Sequence, residues 1–171
     1  MIHCDSGKAN ANIEPIMGET ILVAALGNLL SGDDGVGQVI LGQLGNAHLP
    51  PEVHLVDLGS DSLGIISHYH GEGLIILLDA INQQGLAPGA VIVTDWANLQ
   101  PGVSRSAHQL DPVEGINLAS MVDEKLGMTE KKLVGIQVGS TQVGVEMTPA
   151  VAIAVELAVA EVVNLIKSRM E

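Results

Sequence analysis

At 171 residues the chain fits one domain, because that length lies within the range over which a single hydrophobic core keeps growing. Seven basic against twenty acidic side chains leave a net charge of −13, which repels phosphate backbones and anionic membrane surfaces and so disfavours nucleic acid and membrane as partners. Trp96 and Tyr69 are the only aromatics, so the core must be aliphatic, and the single cysteine, Cys4, excludes both an internal disulfide and a thiolate metal cage.

Residues 1–19 are polar and without periodicity, and they lack the basic-then-apolar layout of a secretory signal. They are expected to form a disordered extension ahead of a single domain over 20–171. No apolar run is expected to reach the roughly 18 residues of a membrane span, and the protein is read as cytoplasmic. The first strand is the continuous apolar run Ile21–Leu26, closed by Gly27 and Asn28. Similar short runs at 53–56, 74–78, 90–94 and 133–138 have the length of strands buried on both faces, which makes five.

Between the strands lie helical patterns at 35–44, 61–68, 112–126 and 149–167, so the alternation predicts an α/β sandwich with a mostly parallel sheet. Asp111-Pro112-Val113-Glu114 is the clearest helix start, with Asp111 as cap and Pro112 at the first position, and Thr148-Pro149 repeats the device. The last helix is apolar around most of its circumference, which fits deep packing or a subunit contact; a monomer or a homodimer is expected. The connection 82–89 is too short for a crossover helix, so strands three and four are expected to pair antiparallel. The aperiodic stretch 96–107 is long enough to return His108 to the opposite end of the sheet.

Ligands of open parallel sheets bind beyond the carboxyl ends of the strands. There the sequence places Asp33 and Asp34 after strand one, Asp57 and Gly59 after strand two, and Asp79 at the end of strand three. Two carboxylates and an imidazole from Asp34, Asp79 and His108 would give an oxygen and nitrogen set suited to a borderline divalent ion such as nickel or zinc, with positions left open. The plainer alternative makes Asp34 a helix cap, Asp79 a strand end and His108 a loop residue. Asp33 competes with Asp34, and one of the two is expected to cap the helix while the other faces the cleft.

The segment from Gly32 to Gly37 lacks the Gly-Lys-Ser/Thr ending of a phosphate loop and the dinucleotide spacing, and two aspartates there would repel phosphate. No Gly-x-Ser-x-Gly elbow occurs. His68 and His70 stand two apart, a spacing that does not bring them together on a helix, so they mark an exposed helix terminus.

Gly27-Asn28 followed by Asp33-Asp34-Gly35-Val36-Gly37 resembles the opening of the nickel-iron hydrogenase maturation endopeptidases. Leu78-Asp79-Ala80-Ile81 is similar to their acidic strand end, Ser106-Ala107-His108-Gln109-Leu110 to their histidine segment, and Leu133-Val134-Gly135-Ile136 with Met147-Thr148-Pro149-Ala150-Val151 to their last strand and helix. The similarity covers about 21–167, and the four pieces stand in the family's order.

The resemblance implies a three-layer α/β sandwich with a five-stranded sheet, and metal contact by Asp34, Asp79 and His108, with Asp34 chosen over Asp33. It implies an endopeptidase, usually grouped as aspartic-type, that removes the C-terminal extension of a hydrogenase large-subunit precursor after nickel insertion. Nickel would arrive with the substrate rather than reside in the enzyme. Asp34 and Asp79 are the candidates for catalysis, and Gly27, Asn28, Asp33, Gly35, Asp57 and Gly59 for substrate contact. Ala25, Leu58-Gly59-Ser60 and Val138-Gly139-Ser140 depart from the family's usual residues, which leaves the hydrogenase processed open. The alternatives are a non-proteolytic nickel-binding or delivery module and a flavodoxin-like binding protein. The scarcity of aromatics to stack a flavin speaks against the last.

Overall fold

A computed structural model describes residues 18–99 and 111–171. Five strands, β1 (Ile21–Leu26), β2 (Val53–Gly59), β3 (Leu74–Ile81), β4 (Val91–Asp95) and β5 (Glu130–Gln137), form one sheet in the order β2-β1-β3-β5-β4. The first three and β5 run parallel, and β4 is antiparallel to β5. Every residue of β1 and β3 is buried, as the apolar run of β1, and that of β3 broken only by Asp79, require of central strands covered on both faces.

The helices are α1 (Val36–Gly45), α2 (Ile65–His68), α3 (Pro112–Val122), α4 (Glu124–Met128) and α5 (Pro149–Met170). Alternate residues of the strands feed two cores. Ile21, Val23, Ile76, Leu78 and Val134 pack with α1 and α5, and Leu22, Ala24, Ile75, Leu77 and Leu133 pack with α2, α3 and α4. The result is the expected three-layer sandwich. The first core is wholly aliphatic, and both aromatics serve the second. There Tyr69 Oη lies 2.6 Å from Thr129 Oγ1, and Trp96 Nε1 donates to Asn117 Oδ1 at 3.0 Å.

The sheet corrects one expectation. β4 is antiparallel, but its partner is β5 and not β3, because β5 is inserted between them. The connection after β3 passes over the carboxyl end of β5 and is tied to it: Gln83 N donates to Gln137 Oε1, Gly89 N to Gln137 O, and Gln137 N to Ala90 O, each at 2.8 Å. A short loop excludes a crossover helix, but it can step across two strand spacings of about 5 Å each. β5 also starts earlier than its apolar run. Lys132 pairs with Asp95 at 2.6 Å and with Glu130 at 3.3 Å. The buried Lys131 ammonium donates to the carbonyls of Leu126 and Thr129 that end α4, and burial pulls its pKa down.

The single helix expected over 112–126 is two. Asp123 is extended at φ −111° and ψ 108°, and its side chain accepts from Leu126 N at 3.0 Å, so it caps a new helix instead of continuing the old one. Asp111 caps α3 as expected, accepting from Val113 N at 2.8 Å. A further correction concerns α5. Its 22 residues are long and apolar enough, by length and composition, to cross a membrane. Its face of Val151, Ala154, Val155, Ala158, Val162 and Ile166 instead belongs to the sheet core.

Strand order reverses at β1, with β2 on one side and β3 on the other, so the crevice at their carboxyl ends lies between β1 and β3. Helix α1 is seated directly over it. A Cβ on Gly37 would stand 2.5 Å from Leu26 O and 2.7 Å from Leu78 O. Backbone on both sides cannot yield, so Gly37→Ala is expected to cost at least about 2–3 kcal/mol, read as a lower thermal midpoint.

Candidate functional site

After β1 the chain makes a tight excursion before α1. Gly27 adopts φ +127°, and a Cβ there would collide with Asp34 O, so the position admits no side chain. Its amide donates to Gly59 O at 2.9 Å, and its carbonyl accepts from Gln38 Nε2 at 2.8 Å. Gln38 reaches Asp57 Oδ1 at 3.3 Å as well, which joins the ends of β1 and β2. Asn28 Oδ1 accepts from Leu30 N at 2.9 Å, a local turn of the kind asparagine favours.

The two aspartates lie in a 3-10 turn, Gly32–Gly35, and the cap position of α1 falls to Gly35. Neither aspartate is therefore the expected helix cap. Asp33 is fully buried. Its Oδ2 accepts from Gly139 N at 2.7 Å, Ser140 N at 2.9 Å and the Thr148 hydroxyl at 2.9 Å, and its Oδ1 accepts from Thr148 N at 2.6 Å. Burial alone would raise its pKa, but the donors from Ser140, Thr148 and Gly139 outweigh it and hold the carboxylate below its usual range. Asp33 is thus not a substrate-facing group. It fastens the β5–α5 loop to the loop after β1. The same bonds explain why Thr148, placed to cap α5, makes no side-chain cap bond: its hydroxyl is given to Asp33.

Asp34 is partly exposed, and burial raises its carboxyl pKa against a smaller lowering by the Asn28 amide. Asp79 is buried and lies two residues before the end of β3, which runs on to Ile81. Its Oδ1 accepts from Ala80 N at 2.8 Å. By strand alternation Asp79 shares a face with Leu77 and Ile81, toward α3. Its neighbour on β5 is Gly135, which sets no side chain beside it. Both aspartates stand at the β1/β3 switch point, Asp34 just past β1 and Asp79 near the end of β3.

His108 lies outside the described residues, as do Cys4 and residues 1–17. Among the described residues no three or more of His, Cys, Asp and Glu come together as a metal-binding group. Of the other rim positions, Gly35 is buried, and a Cβ on it would sit 2.7 Å from Leu29 Cα. Asp57 is exposed with Oδ1 accepting from Gly59 N at 2.8 Å, and Gly59 takes φ +54°. His68 and His70 are exposed at the end of α2, where His70 Nδ1 lies 2.7 Å from His68 O. The parts that Gln38 and Thr148 play here leave no mark in the sequence. An amide or hydroxyl carries no signal when its partner is far away along the chain.

Fold and site together define a three-layer α/β domain whose switch point carries two aspartates. The hydrogenase maturation protease family model matches residues 40–165, well over half the chain, and this protein belongs to that family. The matched span includes Asp57, Asp79 and His108 and begins after the loop that carries Asp34. Protein FrxA of Pyrococcus furiosus is 31% identical over 139 residues, 80% of this chain and 97% of that one. The hydrogenase expression/formation protein HupD of Rhodobacter capsulatus is 27% identical over 155 residues, covering 88% and 72%. Among solved structures, the [NiFe] hydrogenase maturation protease HybD from Thermococcus kodakarensis superposes with a TM-score of 0.72 at 30% identity, over 85% of this chain and 98% of that one. The hydrogenase maturating endopeptidase HybD from E. coli gives 0.72 at 23% identity over 87% and 93%, a likeness of fold.

Proposed function

We propose that this protein is the endopeptidase that removes the C-terminal extension of a nickel-iron hydrogenase large-subunit precursor once nickel is in place, and that it acts in the cytoplasm. Family membership supports the peptidase class. The observation that carries the finer reading is the placement of Asp34 and Asp79 at the one crevice where strand order reverses. With His108 they would contact nickel already held by the substrate. The donor chemistry fits such a role. Two carboxylates and an imidazole, with no thiolate among the described residues, suit a borderline divalent ion presented by another protein better than one held for the enzyme's own stability.

Asp34 and Asp79 also supply the groups that could assist attack of water on the scissile carbonyl. Carboxylates engaged with a metal stay ionised, so they do not share a proton as a conventional aspartic dyad does. Recognition of nickel and handling of the proton therefore fall at different stages or on different groups.

The test is incubation with the purified large-subunit precursor, nickel-loaded or nickel-free, followed by intact mass. The loaded precursor is expected to lose its C-terminal extension and the nickel-free one to remain whole. Persistence of the full-length loaded precursor would sink the protease reading and favour a nickel-binding or delivery module. Equal cleavage of both forms would sink nickel recognition.

A further inference from the structure

Four large apolar side chains stand in the open on the two loops that Asp33 fastens together. Leu29 is 62% exposed, Leu30 72%, Val143 73% and Val145 38%. They are not on slack chain. Gly144 N donates to Leu30 O at 2.8 Å and Asp33 N to Ser140 O at 2.9 Å, two rungs that bind the loops side by side. Gly32, at φ +56°, is pressed so closely that a Cβ would lie 2.9 Å from Ser140 O and 3.2 Å from Val145 Cγ2. Four hydrogen bonds to Asp33 complete the frame. A rigid frame that holds apolar groups out into water loses the hydrophobic stabilisation it could have had by turning them inward, and such contiguous exposure marks a binding surface.

Its position says what binds. The Leu29 backbone packs on Gly35, and Asn28 N donates to Asp34 O at 3.3 Å, so this lip is one wall of the loop that carries Asp34. We propose that Leu29, Leu30, Val143 and Val145 form an apolar lip that grips an apolar stretch of the precursor polypeptide and sets it beside Asp34. The occupant is committed by that continuity with the candidate site and by charge: the chain carries −13 overall, and Glu146 is exposed beside Val145 on the β5–α5 loop, so an acidic segment is repelled and an apolar one is not. The proposal rests on the protease reading for its substrate. It adds the residues that hold the chain as distinct from those that face the metal.

The experiment uses the whole protein and the nickel-loaded precursor, with Leu30→Ser, Val143→Ser and the double variant. These side chains are exposed, so thermal midpoints should stay within ~2 °C of wild type. The double variant is expected to raise KM about tenfold or more with kcat within about twofold, the signature of lost substrate grip with intact chemistry. An unchanged KM overturns the lip. Binding of the same precursor, followed by fluorescence titration, separates the two readings. If wild type binds without cleaving, the protease reading fails, and the lip stands or falls on whether the double variant binds more weakly. If wild type neither cleaves nor binds the precursor, both are overturned.

Discussion

Asp34→Asn, Asp79→Asn and His108→Ala are each expected to reduce cleavage of the nickel-loaded precursor by about 10²–10³-fold while leaving the protein folded. Asparagine keeps the shape of aspartate and its acceptor oxygen, so Asp79→Asn retains the bond from Ala80 N. What it removes is the negative charge that would engage the metal. For Asp34 the expectation of an intact fold is firmer still, because burial already disfavours its ionised form and the neutral amide should be tolerated. The measurement is the cleavage rate by mass, set beside thermal melts of the same preparations. Full activity in all three variants refutes the assignment, and a loss of activity that tracks a loss of folding assigns them to structure instead.

Asp33→Asn is expected to do the reverse, costing about 3–5 kcal/mol of stability before any effect on chemistry is considered. Two carboxylate oxygens receive four donors, three from backbone amides and one from the Thr148 hydroxyl. Asparagine offers one oxygen, and its amide group would point hydrogens at hydrogens in a site with no water-facing exit. At this chain length the thermal midpoint should fall by about 10 °C or more. Limited proteolysis should then cut within residues 139–148 in the variant at protease levels that wild type survives. An unchanged midpoint would mean that the loop is held by something other than Asp33.

The adjacent aspartates show how much of the site could be read from sequence. That a carboxylate follows β1 at the crevice was legible, because the apolar run, the glycines and the helical pattern after them fix where the strand ends. Which carboxylate turns inward was not legible in the residues themselves, because the partners of Asp33 lie on a loop that carries no periodicity; only the family resemblance chose between the two. Thr148 before a proline has the right chemistry for a cap, but its hydroxyl is directed at the Asp33 carboxylate, to which it donates, and makes no bond to the first turn of α5. For the fold, uninterrupted burial wrote the central strands plainly. The place of β4 was hidden, since a short loop limits only how far the chain travels and leaves open which strand fills the gap. The break at Asp123 interrupts an otherwise good helical pattern, and tertiary closeness, with Gly127 against Ser120 O, favours two helices over one.

The Asp33 fastening joins positions separated by 106 to 115 residues along the chain. During synthesis, therefore, the loop that carries Asp34 leaves the ribosome long before the segment that shapes it. Contacts of such range form late in folding. A nascent or truncated chain ending before Thr148 would hold Asp33 without the Thr148 amide and hydroxyl that complete its set of donors, so the loop after β1 takes its final shape only as the last helix emerges.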